Sequence, residues 1–150
     1  MARGEPAVFL DTSVVITALL SSRGGSFHIL SHYRDHLKFF INDYVLREAL
    51  VVISRKFSVR AGLSSKLFFL IGYARVEVLS DPSSTAVKKA SRVVEEEDAP
   101  ILAGAVEKCD YLLTLDKGFL KESAQKFAGR RRCKIIVPRE LVLNLRQGKI

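Results

Sequence analysis

The stretch Ala7-Val8-Phe9-Leu10-Asp11-Thr12-Ser13 opens on four apolar residues and closes on three polar ones. A short run without polar alternation suits a strand covered on both faces, and the polar triplet suits the turn that ends it. Runs of the same type recur at 37–41, 76–79, 111–115 and 134–137, each followed by a residue suited to capping a helix or turning the chain. Segments with helical spacing lie between and after them, at 13–20, 26–36, 43–57, 64–74, 82–94, 98–108, 117–127 and 139–147. Short strands alternating with helices predict an α/β domain: a parallel sheet with helices on both faces, in three α/β/α layers. Asp43, Ser64, Asp81 with Pro82 behind it, and Asp98 stand where helix N-caps are expected. With no repeat, low-complexity tract or linker in view, residues 1–150 are expected to form one domain.

Composition bounds the function classes. A chain of 150 residues, 48% hydrophobic and 27% charged, fits one domain with an ordinary core. Its apolar stretches are broken by Arg, Glu or Gly well short of the roughly 20 residues that a bilayer-spanning helix needs. The segment Met1-Ala2-Arg3-Gly4-Glu5-Pro6 has neither the apolar region nor the cleavage site of an export signal. A cytoplasmic protein without a membrane anchor is expected. Cys109 and Cys133 lack C-x-x-C spacing and are expected to be reduced and partly buried, rather than in a disulfide or metal site. The net charge of +8 attracts polyanions, of which RNA and DNA are the commonest in a cell. The basic residues are dispersed, with clusters at Arg55-Lys56, Lys88-Lys89 and Arg130-Arg131-Arg132, so a plain solvated surface is the competing reading.

Ligands of an open parallel sheet gather at the carboxyl ends of its strands. Asp11 ends the first expected strand, Asp116 follows the run 111–115 in the same way, and Asp98 opens the helix leading into that run. Glu48 is the one acid among Tyr44, Val45, Leu46, Ala49, Leu50, Val51 and Val52. Converging carboxylates repel one another, and burial without a counter-charge raises their pKa values or destabilises the fold. A divalent cation removes the conflict, and oxygen ligands with no Cys or nearby His favour Mg²⁺ or Mn²⁺ over Zn²⁺. Cations of this kind activate water against phosphodiesters. Each Asp taken singly is equally a helix cap or turn residue; the four together point to a site.

The residues that carry this reading resemble a PIN domain over nearly the whole chain. Val8-Phe9-Leu10-Asp11-Thr12-Ser13-Val14-Val15 resembles the opening motif of that family and Asn42-Asp43-Tyr44-Val45-Leu46-Arg47-Glu48-Ala49-Leu50 the second. Asp98-Ala99-Pro100-Ile101-Leu102-Ala103-Gly104-Ala105 resembles the third, and Asp110-Tyr111-Leu112-Leu113-Thr114-Leu115-Asp116-Lys117-Gly118-Phe119 the fourth. Each motif alone is weak; four in order are specific. The resemblance implies a parallel sheet of about five strands, Mg²⁺- or Mn²⁺-dependent phosphodiester hydrolysis, usually of RNA, and frequent homodimers. Many small members are VapC-type toxins held inactive by an antitoxin protein. Carried over by position, Asp11, Glu48, Asp98 and Asp116 would ligate metal, while Ser13 and Thr114 would bond the metal's water or position the carboxylates. One departure is Gly118, where many members carry a further acid, so a second metal would be weakly held or absent unless Glu95, Glu96 or Glu97 replaces the ligand.

Other features admit two readings each. His28, His32 and His36 recur at four-residue spacing and on a helix would share one face, open to a transition metal, to nucleic acid or to solvent; the Glu of an H-E-x-x-H motif is absent. Arg130-Arg131-Arg132 is either a phosphate contact or a solvated loop. Phe68 and Phe69, with Leu67, Leu70, Ile71 and Tyr73, exceed what one buried helix face requires, so part of that helix is either core or a dimer or partner surface. A haloacid-dehalogenase-like phosphatase needs a second Asp where Ser13 stands, and the glycine-rich loops of nucleotide-binding folds are missing. The alternative from another class is a non-cleaving PIN-fold scaffold that binds RNA or protein.

Overall fold

Val8, Phe9 and Leu10 are all but removed from solvent, as a strand must be that has neighbours on both edges and helices over both faces. They belong to β1 (Ala7–Leu10), the middle strand of a five-stranded sheet of order β3-β2-β1-β4-β5. The computed structural model describes residues 4–57 and 62–150. Residues 1–3, part of the segment read above for an export signal, lie outside the described residues. After β1 come α1 (Thr12–Leu20) and α2 (Gly25–His32), then β2 (Lys38–Asn42), α3 (Asp43–Lys56), α4 (Leu63–Tyr73) and β3 (Glu77–Leu79). The chain continues through α5 (Ser84–Ala90), α6 (Ala99–Lys108), β4 (Tyr111–Leu113), a 3₁₀ turn (Lys117–Leu120), α7 (Glu122–Arg130), β5 (Lys134–Ile136) and α8 (Pro138–Arg146).

All four strand pairings are parallel, with Val8 beside both Phe39 and Tyr111. Parallel neighbours require crossovers, and the helices between the strands supply them. The expected three-layer α/β/α architecture is what the chain has. From β1 the chain first builds outward through β2 and β3, then returns to the other side for β4 and β5. The order therefore reverses between β1 and β4, and a crevice opens at the carboxyl ends of those two strands.

Phe9, Phe39, Ile41, Leu112, Leu113 and Ile136 fill the sheet's share of the core, each such side chain contributing about 1.5–3 kcal/mol on burial. Helix α6 lies close over β1 and β2 because residue 104 is glycine. A β-carbon there would sit 2.7 Å from Asn42 Nδ2 and 3.2 Å from the Phe9 ring. That close approach fixes where the first turn of α6, and Asp98 ahead of it, stands over the sheet.

Several element boundaries differ from expectation, each for a local reason. Strand β4 ends at Leu113, because the Leu115 and Asp116 amides turn away from the sheet to the hydroxyls of Ser13 and Thr114. The segment 117–127 breaks at Lys121, which is extended, into the 3₁₀ turn and α7. Helix α2 stops at His32, and the amides of His36 and Leu37 close a turn onto the Tyr33 carbonyl. Helix α5 covers only residues 84–90 of the expected 82–94. Its cap is Ser83, whose Oγ accepts the Ala86 N–H at 3.2 Å, not Asp81. Asn42, not Asp43, caps α3 by accepting the Val45 N–H at 3.0 Å, and Gly62 rather than Ser64 precedes α4. Among the described residues no helix is long and apolar enough to cross a membrane.

Candidate active site

Asp11 occupies the N-cap position of α1, yet its side chain makes no capping hydrogen bond there. Its Oδ2 accepts two hydroxyls instead, from Ser13 and from Thr114, each at 2.7 Å. Ser13 Oγ in turn accepts the Leu115 N–H at 3.2 Å, and Thr114 Oγ1 accepts the Asp116 N–H at 2.9 Å. Two hydroxyls thus tie the end of β1 to the loop after β4 and hold the Asp11 carboxylate in one orientation. Asp11 is only 4% exposed. Burial pushes its carboxyl pKa up, the Thr114 and Ser13 hydrogen bonds pull it down, and the nearby Asp116 charge raises it again.

Asp98 stands at the N-cap of α6 as expected, but its side chain makes no cap bond either. Asp116 does cap the 3₁₀ turn, its Oδ1 accepting the Gly118 N–H at 2.8 Å. A β-carbon at Gly118 would lie 3.3 Å from Asp116 Oδ1 and 3.4 Å from Asp98 Oδ2, so the two carboxylates face one point and leave little room for a side chain between them. Burial, followed by the charges of Asp116, Asp11, Glu48 and Glu97, pushes the Asp98 carboxyl up to about 7.

Glu48 is half-buried on α3. One turn earlier, Tyr44 donates its hydroxyl to the Glu97 carbonyl at 2.8 Å, and burial and the Glu48 charge push its pKa up to about 12. Asp81 anchors the start of this helix from outside, accepting the Tyr44 N–H at 2.8 Å through Oδ1 and the Arg47 guanidinium at 2.7 Å through Oδ2. Asn42 adds a second tie by donating from Nδ2 to the Pro100 carbonyl at 3.1 Å, which joins α3 to the start of α6.

The result is an open groove of about 470 Å³ lined by Asp11, Thr12, Ser13, Glu48, Lys56, Glu97, Asp98 and Asp116, with Ile16, Thr17 and Val52. Thr114 lies beneath it, fully buried. Of the sequence-predicted residues, all four carboxylates and Ser13 come together here. Glu97 joins them; Glu95 and Glu96 do not line the groove. Thr12, Thr17 and Lys56 are polar groove residues that the sequence did not single out. Lys56 lies eight residues after Glu48 on the same helix, roughly 80° around its axis, a spacing that permits a shared groove but does not fix it. Thr12 Oγ1 is buried without a hydrogen-bond partner among the described residues, an arrangement that costs about 1–3 kcal/mol if nothing joins it.

Among the described residues the donor set is oxygen alone, since no His or Cys lines the groove, and Lys56 is the one cationic side chain facing five carboxylates. That chemistry fits a hard divalent cation such as Mg²⁺ or Mn²⁺. Among the described residues no three His, Cys, Asp or Glu side chains already close into a metal-holding cluster.

The remaining candidates fall elsewhere. His28 and His32 stack at 4.3 Å between ring centroids, whereas His36, beyond the end of α2, packs edge-on against Tyr33 at 6.0 Å. The three histidines therefore do not share one helical face, because the helix ends before the third. Arg130-Arg131-Arg132 precedes β5 and so lies at the amino edge of the sheet, away from the carboxylates; Arg131 is laid on the Phe127 ring at 3.6 Å. Cys109 and Cys133 are free and buried, and burial pushes both thiols up to about 12, as suits inert core residues. Phe68 and Phe69 are exposed, Phe69 to 70%, with Tyr73 beside them.

No family profile matches the chain, and no curated protein sequence matches it. Solved structures do. VapBC2 from Rickettsia felis, bound to a DNA fragment from its promoter, superposes with a TM-score of 0.65 at 17% identity over 87% of this chain and 98% of that one. PAE2754 from Pyrobaculum aerophilum superposes with a TM-score of 0.66 at 19% identity, over 95% of this chain and 96% of that one. At such identities the likeness is one of fold, and the fold is the PIN-like one that the four motifs imply.

Proposed function

From that PIN-like fold as premise, we propose that the chain is a Mg²⁺- or Mn²⁺-dependent endoribonuclease whose site is the carboxylate groove. The observation that carries the reading is the convergence of Asp11, Glu48, Asp98 and Asp116 on one groove at the reversal of strand order, with two of their pKa values raised. Four carboxylates held together destabilise the fold unless they serve a ligand.

In this reading Asp11, Glu48, Asp98 and Asp116 hold the cation, which when bound activates a water molecule and stabilises charge on the phosphodiester oxygens. The chain's own residues do the rest. Ser13 and Thr114 keep Asp11 from swinging toward the α1 amides, where it would act as an ordinary cap. Lys56 offsets part of the negative field that an approaching phosphate meets. Tyr44, which keeps its proton, holds Glu97 and the start of α6 against α3.

The R. felis neighbour is a VapBC complex, and a toxin held by an antitoxin is one setting for such an enzyme; RNA processing is the other. The exposed aromatic face of α4 is a surface for a second copy of this chain or for an antitoxin. The site of action is the cytoplasm.

The test is cleavage of a labelled single-stranded RNA with Mn²⁺ or Mg²⁺, alongside EDTA and the Asp11→Asn/Asp98→Asn variant, read on a denaturing gel. Cleavage lost in both controls is the expected result. RNA that is bound but stays intact with either metal would overturn catalysis and leave a binding scaffold.

A further inference from the structure

A second cleft, of about 700 Å³, lies between the amino ends of α2 and α8, and among the described residues no acidic one lines it. Arg23, Arg139 and Arg146 do, and among the described residues none of them makes an ion pair. A β-carbon at Gly25 would sit 3.3 Å from Pro138 Cβ, so the two helix ends meet side by side. Neither end has a side-chain cap, since Gly24 and Val137 hold the N-cap positions. Their first-turn N–H groups and the positive ends of both helix dipoles add to the arginine field.

The rest of the wall is apolar. Leu115 and Leu143 are 45% and 46% exposed, and Val142 of α8 lines the cleft with them. Leu115 directly precedes Asp116, so the cleft opens beside the carboxylate groove, one residue along the same loop. An anion-binding cluster next to an apolar wall matches the repeating unit of a single-stranded nucleic acid, which carries one phosphate and one flat ring per residue. An acidic peptide supplies the charge but not the ring. A duplex keeps its bases stacked inside and offers none to the wall.

We propose that this cleft is a strand-binding subsite for single-stranded nucleic acid that runs on into the carboxylate groove. Arg23, Arg139 and Arg146 take a phosphate, and Leu115, Val142 and Leu143 take the neighbouring base. The proposal rests on the nuclease reading for the path of the strand into the groove; binding in the cleft does not require cleavage.

Fluorescence anisotropy of a labelled oligouridylate in EDTA, across a salt series, tests it. Against the unaltered chain, Arg23→Ala/Arg139→Ala/Arg146→Ala is expected to bind at least tenfold more weakly, with the slope of log K against log salt smaller by about 0.7, the loss of one phosphate contact on a single strand. Lys88→Ala/Lys89→Ala/Arg92→Ala removes the same charge outside the cleft and is expected to stay within twofold. Thermal melts of both variants establish that they are folded. Leu143→Ala separates base from phosphate, weakening binding at an unchanged salt slope. Equal losses in the two triple variants, no loss in the arginine variant, or no binding by the unaltered chain would each overturn the subsite. Displacement by oligoglutamate as effective as by unlabelled oligouridylate would also overturn it, in favour of an acidic protein partner. A chain that binds through these arginines but never cleaves keeps the subsite and loses the nuclease. Conversely, cleavage of subsaturating RNA undiminished in the arginine variant keeps the nuclease and loses the subsite.

Discussion

Asp110 and Asp116 flank the same short strand, β4, yet do opposite work. At the amino end, Asp110 is taken up by the sheet: its Oδ2 accepts the Ala7 N–H at 2.8 Å and its carbonyl accepts the Lys134 N–H at 2.9 Å. At the carboxyl end, Asp116 turns into a groove with four other carboxylates and adds to the charge that raises Asp98 and Asp11. Because all strands are parallel, every carboxyl end faces one way, and only that edge collects loop residues from β1, β2 and β4 at once. Strand direction, rather than the identity of the residue, separates a structural aspartate from a candidate catalytic one.

The sharpest way to break this comparison is to neutralise both residues. Asp116→Asn is expected to lower the rate of metal-dependent RNA cleavage by at least about 10²–10³-fold, the scale of losing one preorganised charge at a reacting centre, while Asp110→Asn leaves the rate per folded molecule unchanged. Equal rates in the two variants would sink the assignment. Next in size is the response to metal. Mn²⁺ at a hundredfold excess over its dissociation constant should stabilise the unaltered chain by about 2.7 kcal/mol, read as a rise in Tm at pH 8. The Asp11→Asn/Asp98→Asn variant should show almost none of it.

The pH dependence sharpens the same contrast. A carboxyl whose folded pKa is raised binds its proton more tightly in the folded state, so stability is present at low pH and lost as pH rises from the unfolded value toward the folded one. In EDTA, stability should therefore fall between about pH 4 and pH 7, the window set by Asp98 at about 7. Asp98→Asn should flatten that fall in thermal melts, whereas an unchanged pH profile would show that Asp98 carries no excess charge. Thr114→Val removes the buried hydroxyl that Asp11 and the Asp116 amide share and is expected to cost about 1–3 kcal/mol in urea denaturation. The smallest effect is that of Asp110→Ala, about 1 kcal/mol for the lost bond to the Ala7 amide at a solvent-exposed edge.

Part of this arrangement is legible along the chain. Unbroken apolar runs ending in Asp11 and near Asp116 announce buried parallel strands, and Glu48 stands out because its helix is otherwise apolar where it should be buried. Helix ends were less legible. Asp43, Asp81 and Asn42 all suit a cap, and which one accepts the α3 amides depends on how β3 and α5 pack beside α3, where Asp81 reaches Tyr44 across 37 residues. The histidine series fails for a related reason, since its periodicity continues after the helix has turned toward β2.

The amino-acid sequence by itself determined the layers of this protein, because the covering of a strand or helix is written in the local period of apolar residues. It also supplied the four acids and their order. Only the tertiary structure decided that Asp11 and Asp98 leave their own helices uncapped, that Lys56 faces the carboxylates, and that Arg23, Arg139 and Arg146 share a cleft. Those outcomes depend on contacts between residues a hundred positions apart, such as Thr114 with Asp11 and Gly25 with Pro138. No local period encodes them, since each is fixed by how closely two elements approach once the whole core is packed.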